Sequence, residues 1–234
     1  MSVLQNTTYK KILELINSFS SYVRPRVNQN DYGGMALPPP IILESHLFYV
    51  SSNLMTLRGE IDYLIRNRVI RAFNLGLNTY TGERCFMIES SYLEHLLSFE
   101  SKSVKKYVDQ VLPKIISEYV SLEFLKNSGI TNDDIKDLVS IKVLLIRDEN
   151  SYFLSIPSLG AIRVSITEGR KALINHLKRN PDPKRDDLER KTVDESIFYS
   201  TYHLEALIGL GIVKVFTPNG RESRIRLVYD PTTK

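Results

Sequence analysis

The basic side chains of this 234-residue sequence are concentrated in its last third. Residues 159–234 hold 14 Lys and Arg against 10 Asp and Glu, whereas the first 158 residues hold 17 of each. Residues 163–179 carry five basic side chains and one acidic side chain, Glu168. A local excess of one sign indicates a site for a polyanion, since an ordinary solvated helix face intersperses both signs. The candidate contact residues are Arg163, Arg170, Lys171, Lys178, Arg179, Arg190, Lys191, Arg224 and Arg226.

A helix predicted over residues 167–178 positions most of this set. Its apolar residues fall on one inward stripe, and Lys171 and Lys178, seven residues apart, lie on its flank. We expect cations from the two ends of this linker segment and from the approach to the next helix to form one patch, made of Arg163, Lys178, Arg179, Arg190 and Lys191. Five phosphate contacts would give a salt-dependence slope of about −4.5. Arg224 and Arg226 share the outer face of a predicted strand, and either extend this patch or are solvated strand charges.

The sequence contains no constellation that predicts catalysis. A protein kinase needs a Gly-rich phosphate loop, a strand lysine, an H-R-D catalytic loop and a D-F-G motif, and none of these is present. There is no P-loop, no H-E-x-x-H motif and no Cys/His cluster spaced for zinc, and the four histidines are scattered along the chain. Cys85 lies in an apolar run and is predicted to be a buried core thiol. We expect neither an enzyme nor a cofactor or metal.

Composition agrees with a globular protein that remains inside the cell. The sequence is 42% hydrophobic and 25% charged, close to average usage. The apolar runs are too short for a membrane span, and the N-terminus lacks the apolar core of a signal peptide. A single cysteine fits a reducing compartment. We therefore expect no membrane contact.

Three segments share one hydrophobic pattern. They start at Ile61, Ile135 and Leu204, which are 74 and 69 residues apart. In each segment, apolar residues at positions i, i+3 and i+4 give way to a β-rich run. This spacing fits a small domain better than a solenoid repeat. The pattern predicts helices near residues 54–67, 131–141 and 201–210, each followed by a β-hairpin.

Two further helices are predicted ahead of each of these segments. Three helices followed by a two-stranded wing is the winged-helix variant of helix-turn-helix. The predicted fold is therefore α+β, mainly helical, with three tandem winged-helix domains. The predicted domains are residues 1–100, 101–160 and 161–234, the last one including the linker helix. The polar, Pro- and Gly-containing stretch 23–39 is predicted to be a mobile loop.

The helices that would enter the DNA groove in such domains are poorly suited to base reading. The second carries Asp133, Asp134 and Asp137, and the third has no Lys or Arg. In the first, three arginines are offset by Glu60 and Asp62. The sequence therefore favours contacts to phosphates, which position a protein without reading bases.

Four stretches of the sequence are similar to a known family. They are Ala36–Val50, Gly59–Gly76, Leu145–Val164 and Thr201–Val215, and together they make the chain resemble the family of serine/threonine-protein kinase 19. That family name is a misnomer, because its members resemble triple winged-helix DNA-binding proteins. The resemblance implies a nuclear protein that binds double-stranded DNA and acts in transcription-coupled nucleotide-excision repair. It also implies that the protein links stalled RNA polymerase II complexes to TFIIH in response to DNA damage.

A second interpretation is a protein–protein adaptor of tandem winged helices without significant DNA binding. The acidic second recognition helix, with Asp148 and Glu149 nearby, could face a basic partner. Nuclear localisation rests on the resemblance and on two basic doublets, Lys178-Arg179 and Lys184-Arg185.

Overall fold

A computed structural model of the protein describes residues 7–24, 39–76, 83–189, 191–193 and 196–231. The helices in these ranges are α1 Thr7–Tyr22, α2 Glu44–Val50, α3 Leu54–Arg66, α4 Glu89–Leu97, α5 Lys102–Gln110, α6 Leu122–Asn127, α7 Asn132–Ser140, α8 Leu159–Arg179, α9 Arg185–Glu189 and α10 Ser200–Gly209. The strands are β1 Ile42–Leu43, β2 Ile70–Asn74, β3 Arg84–Ile88, β4 Tyr119–Ser121, β5 Leu144–Asp148, β6 Ser151–Leu154, β7 Val213–Phe216 and β8 Arg224–Leu227. The predicted α+β class, mainly helical, is confirmed.

Three sequence-based expectations fall partly or wholly on residues outside these ranges. Residues 25–38 of the predicted mobile loop, the predicted first hairpin loop at 78–82, and Arg190 are not described. The start of the loop prediction is wrong, because Val23 forms an antiparallel bridge with Phe198 and the Arg24 N–H donates to the Ile197 carbonyl at 2.9 Å.

One order of elements recurs three times: a helix, a short strand, two further helices and an antiparallel pair of strands. The first set runs from α1 to β3 and the second from α5 to β6. In both, the short strand pairs with the last strand of the set, β1 with β3 and β4 with β6. The third set runs from α8 to β8, and its short strand is reduced to a single bridge between Lys184 and Arg224. This order is consistent with a winged-helix unit.

The predicted repeats occupy equivalent places in these sets. Ile61, Ile135 and Leu204 are buried on α3, α7 and α10, each of which is the third helix of its set. The observed ends of these helices differ from the predicted ends by at most one residue. The sequence did not predict β1 or β4, which are too short to show an alternating pattern, and it did not predict α4.

Local capping explains where these helices begin and end. The Asn53 side chain accepts from two backbone N–H groups at the start of α3, and Thr131 and Asp134 form a capping box on α7. Gly211 follows α10 with a φ of +70°, a left-handed conformation that glycine adopts readily at the end of a helix. Ser200 does not cap α10. Its hydroxyl instead donates to backbone carbonyls ahead of the helix, including that of Lys191 at 2.7 Å.

The largest hydrophobic cluster crosses the boundaries between the sets. It includes Phe73 of the first set, Leu144 of the second and Tyr202 of the third, all fully buried. Smaller clusters lie within the first and the third set. The three sets are therefore packed against each other through a shared core. Cys85 is fully buried in the large cluster, which raises the pKa of its thiol and fits the predicted core role.

A buried ion pair joins the first set to α8. Arg170 Nη2 donates to Glu83 Oε2 at 2.7 Å, and the two side chains are 1% and 2% exposed. The Ser45 N–H, at the start of α2, donates to the other carboxylate oxygen at 2.8 Å. On the far side of Ser45, Gly209 of α10 lies so close that a Cβ there would be 1.9 Å from the Ser45 carbonyl oxygen. The contacts of α2, α8 and α10 thus fix the first and third sets together.

Two histidines in this region make the stability of the protein depend on pH. Burial lowers the pKa of His46 to about 4 and that of His203 to about 3. Both are neutral in the folded state at neutral pH, so stability falls as the pH drops from about 6.5, where the unfolded chain binds protons, towards the folded values. We expect each histidine to contribute a loss of roughly 2 kcal/mol in the free energy of unfolding between pH 7 and pH 5.

Urea unfolding of the wild type and of a His203→Gln variant at these two pH values measures this effect. The variant is expected to lose less stability than the wild type between pH 7 and pH 5. An identical pH dependence in both proteins would contradict the assignment.

In the part of the chain that the structure describes, no helix combines the length and the apolar character that a membrane crossing requires.

Candidate nucleic-acid interface

The C-terminal end of α8 brings two of the predicted cations together. Arg179 is the last residue of the helix, and Lys191 reaches back to its final turn, where the Lys191 Nζ lies 3.1 Å from the His176 Nε2. Arg179 and Lys191 are both exposed, and no carboxylate of the described residues pairs with either. We call His176, Arg179 and Lys191 the α8 cluster.

The pKa of His176 indicates a positive electrostatic potential at this cluster. Partial burial lowers the pKa of His176, and the charges of Lys191 and Arg179 lower it further. Cations at a helix C-terminus also compensate the helix dipole, so part of this arrangement stabilises α8 itself. The same exposed cations, however, remain able to meet an anion from solvent.

Lys178 and Lys171 are exposed to different degrees and each has an acidic neighbour. Lys178 forms an ion pair with Asp230, which follows β8. Lys171 lies 3.6 Å from Glu168 on the same helix, a weak pair in which both side chains are about half exposed. Lys178 therefore lies beside the α8 cluster but must leave Asp230 to contact a phosphate.

Arg170 cannot contact DNA, and its place in the candidate set is wrong. Its side chain is 1% exposed and is held by Glu83 and the Ser45 hydroxyl, at 2.7 and 3.3 Å. The sequence of residues 163–179 does not reveal this burial, because Glu83, the counterion of Arg170, lies 87 positions away in the chain. The isolated basic excess in that run is therefore partly neutralised by the fold.

Arg163 lies far from the α8 cluster, so the prediction of one five-residue patch is wrong. The structure extends α8 back to Leu159, eight residues before the predicted start. Arg163 then stands 16 residues before Arg179 on one helix, about 24 Å away at 1.5 Å per residue. Its guanidinium instead packs over Gly76, where a Cβ would be 2.9 Å from Nη1.

The N-terminal extension of α8 has a physical cause. Gly160 and β-branched residues lower the intrinsic helix propensity of this stretch, which is why the sequence placed the start later. Burial of Leu159, Ile162 and Ile166 overrides that propensity.

Arg224 and Arg226 hold the third hairpin to the segment after α8. Arg226 binds the Asp182 carboxylate through two nitrogens and stacks over Phe216, with its Cζ 4.4 Å from the ring centroid. Arg224 donates to the Asp182 carbonyl at 2.8 Å and lies 3.9 Å from Glu222. These arginines and Lys214 lower the pKa of the Asp182 carboxyl. The contacts fit neither of the two interpretations, an extended patch or solvated strand charges, because both arginines bind Asp182 and so have a structural role.

The acidic helix α7 is partly occupied by contacts within the second set. Asp134 binds Lys106 at 2.8 Å and caps its own helix, contacts that lower the pKa of its carboxyl. Asp137 accepts from the Ser101 hydroxyl at 2.6 Å. Asp133 remains exposed beside Lys136. Two of the three carboxylates that suggested a surface for a basic partner thus serve to attach α7 to α5.

Two features of the interface were missed from the sequence. His176 lies three residues before Arg179 on α8, a spacing that could have placed it in the cluster. Lys142, in the turn after α7, lines a cavity together with Arg163, and no sequence signal indicated that contact. Among the described residues, no group of three His, Cys, Asp or Glu side chains is arranged to hold a metal ion.

Comparison with known proteins finds remote relatives with two kinds of name. The chain is 25% identical over 251 residues to "Serine/threonine-protein kinase mug51" of Schizosaccharomyces pombe, covering 95% of this chain and 78% of the relative. It is 28% identical over 188 residues to "Winged helix repair factor 1" of Xenopus laevis, covering 75% and 70%. The human protein of that name is 22% identical over 183 residues, covering 75% and 72%. No protein-family model matches the chain.

Proposed function

We propose that this protein is a repair factor of three tandem winged-helix domains that binds double-stranded DNA through its phosphates. The observation that carries the DNA contact is the α8 cluster, in which Arg179 and Lys191 are exposed and have no carboxylate partner among the described residues; partial burial and these two charges lower the pKa of His176. The domains of the proposal are residues 1–100, 101–160 and 161–234, which correspond to the first, second and third sets.

The winged-helix part of the proposal is supported by the recurrence of one element order three times. The relatives named winged helix repair factor 1 support it independently. In the first two sets the short strand pairs with the last strand of the hairpin, and in the third set a single bridge takes the place of that strand. This arrangement is the one expected of winged-helix domains.

Contact to phosphates, without base reading, fits the charges of the third helices. α10 carries no Lys or Arg, and α7 presents carboxylates. The exposed arginines of α3, Arg58 and Arg66, share their helix with Glu60 and Asp62. A helix end with two exposed cations that no described carboxylate pairs with is suited to a sequence-independent backbone contact.

We propose no phosphotransfer activity, in spite of the word kinase in the name of the fission-yeast relative. The sequence holds no Gly-rich phosphate loop and no H-R-D or D-F-G motif, so it offers no side chains spaced to hold magnesium and the phosphates of ATP. The proposed role is therefore one of binding and bridging.

The cellular part of the proposal is a nuclear role in transcription-coupled nucleotide-excision repair. The protein would bridge stalled RNA polymerase II complexes and TFIIH. This cellular role is supported by the four stretches of sequence that resemble the serine/threonine-protein kinase 19 family and by the word repair in the names of the relatives.

The alternative is a protein adaptor without significant DNA binding. The internal use of Asp134 and Asp137 removes part of the acidic surface that favoured this alternative.

Binding of a random DNA duplex at different salt concentrations tests the proposal. Two to three contacts, from Arg179, Lys191 and Lys178, give an expected slope of about −1.8 to −2.7 for log affinity against log salt. The affinity of the wild type should therefore fall roughly tenfold to fortyfold between about 50 and 200 mM salt. Fluorescence anisotropy with two duplexes of unrelated sequence measures it. No duplex binding at low salt would favour the adaptor.

A further inference from the structure

A cavity of about 580 Å³ opens where the end of β2, the hairpin β5–β6 and the first turns of α8 meet. It thus lies between parts of all three sets and lies at the opposite end of α8 from the α8 cluster. Its volume is in the range of protein binding sites, which are commonly about 300–1,000 Å³.

The walls of the cavity are largely apolar. Leu75 and Ile156 are buried at its base, Leu145 and Phe153 form the side contributed by the hairpin, and Leu159 closes the side of α8. The apolar surface continues outward, because Ile146 at the rim is 69% exposed. An apolar side chain this exposed at the rim of a concave surface is characteristic of a binding site for a protein segment.

The charged side chains that line the cavity are basic. They are Arg163 and Lys142, and none of the described residues that line it is an Asp or a Glu. Arg147 of β5 lies beside the cavity residue Phe153, with its Cζ 4.3 Å from the Tyr119 ring centroid and 5.5 Å from that of Phe153, and its Nε is 3.9 Å from the Asp148 carboxylate, a weak exposed pair. Stacked on two aromatic rings, the guanidinium is held in place while its edge stays exposed to solvent.

We propose that this groove binds a short segment of a partner protein in which acidic side chains flank apolar anchors. The apolar anchors would fill the cavity between Leu75, Phe153 and Leu159. The carboxylates would pair with Arg163, Lys142 and Arg147. The argument for this occupant is charge complementarity, since an apolar groove lined by two cations and, among the described residues, by no carboxylate favours anionic, partly apolar segments over basic ones.

The same surface is a poor fit for nucleic acid. Phosphates would leave the apolar walls uncovered, and the turn between β5 and β6 carries Asp148 and Glu149, which repel a polyanion. Asp148 and Glu149 stand at the turn end of the hairpin and do not line the cavity, so the carboxylates of a peptide are expected to pair with Lys142 and Arg163 at its wall. The proposal is separate from DNA binding, which uses the other end of α8.

Selection of peptides from a random 12-residue phage library on the full chain tests the proposal. Enriched peptides are expected to carry a net negative charge and at least two large apolar residues. Their affinity should fall at least tenfold for K142E/R163E and for I146S, and stay within about twofold for K105E/K114E, a matched pair of charge reversals on exposed residues of the second set. Circular dichroism verifies folding, and I146S, which changes only an exposed side chain, guards against misfolding of the double variant.

Several results would overturn the inference. The inference would be contradicted if the selected peptides were basic, or if no selected peptide bound the wild type more tightly than K142E/R163E. Loss of duplex affinity in K142E/R163E, with R179E unaffected, would assign this groove to DNA instead. Light scattering that shows a dimer broken by I146S would identify a second copy of this chain as the occupant. Peptide binding that appears only after residues 77–82 are replaced by Gly and Ser would identify that segment as the occupant.

Discussion

Replacing Glu83 with alanine is expected to lower the free energy of unfolding by about 3–5 kcal/mol. The change leaves the Arg170 guanidinium buried at 1% exposure without its carboxylate. It also removes the acceptor of the Ser45 N–H, which is 2.8 Å from Glu83 Oε1 at the start of α2. Because these groups lie where the first set meets α8, the loss is expected to loosen the contact between the first and third sets. Urea unfolding followed by circular dichroism measures it.

Two controls separate this effect from the loss of any surface charge. Glu168→Ala removes an exposed partner of Lys171 and is expected to cost less than about 1 kcal/mol. The double variant Glu83→Leu/Arg170→Met replaces the buried pair by apolar side chains and is expected to recover most of the lost stability. A Glu83→Ala variant that is no less stable than Glu168→Ala would show that the ion pair does not hold the two sets together.

Reversing both cations of the α8 cluster is expected to produce the largest effect on binding. In the double variant Arg179→Glu/Lys191→Glu, two phosphate contacts are lost. At 0.1 M salt, losing the counterion release of two contacts lowers the duplex affinity roughly sixtyfold. The loss should be equal for unrelated duplex sequences, because phosphate contacts carry no sequence information. Fluorescence anisotropy with two labelled duplexes measures it.

The matched control has the same change in net charge. Lys105→Glu/Lys114→Glu reverses two exposed lysines of the second set and is expected to weaken binding by less than about threefold, through the long-range field alone. Both α8 residues are exposed at a helix end, so folding should be preserved. Equal weakening by the two double variants would indicate a general charge effect and no localised site.

The elements that sequence patterns predicted well are those with a strong local signal. The apolar spacing around Ile61, Ile135 and Leu204 placed three helices to within one residue, and the Thr131–Asp134 capping box was visible in the sequence. Local patterns do not show which strands close a sheet. The two-residue β1 and the bridge at Lys184 therefore emerged only from the three-dimensional arrangement.

The candidate site was less predictable, because charge spacing along a sequence says nothing about counterions. Arg170 and Arg179 look alike in the basic run, yet one is buried against Glu83 and the other is exposed. Lys178 has Asp230 as its partner from beyond the last strand. Arg163 was separated from the cluster by the length of α8, whose N-terminal turns are stabilised by tertiary burial against their intrinsic propensity.

The central claim is that the α8 cluster binds duplex phosphates, and the salt slope of Arg179→Glu/Lys191→Glu tests it most directly. The slope of log affinity against log salt counts phosphate contacts, independently of the absolute affinity. We predict that the slope of the variant is smaller than that of the wild type by about 1.8, while Lys105→Glu/Lys114→Glu keeps the wild-type slope. A wild-type slope in the folded α8 variant would contradict the account, because the phosphates would then be bound elsewhere on the protein.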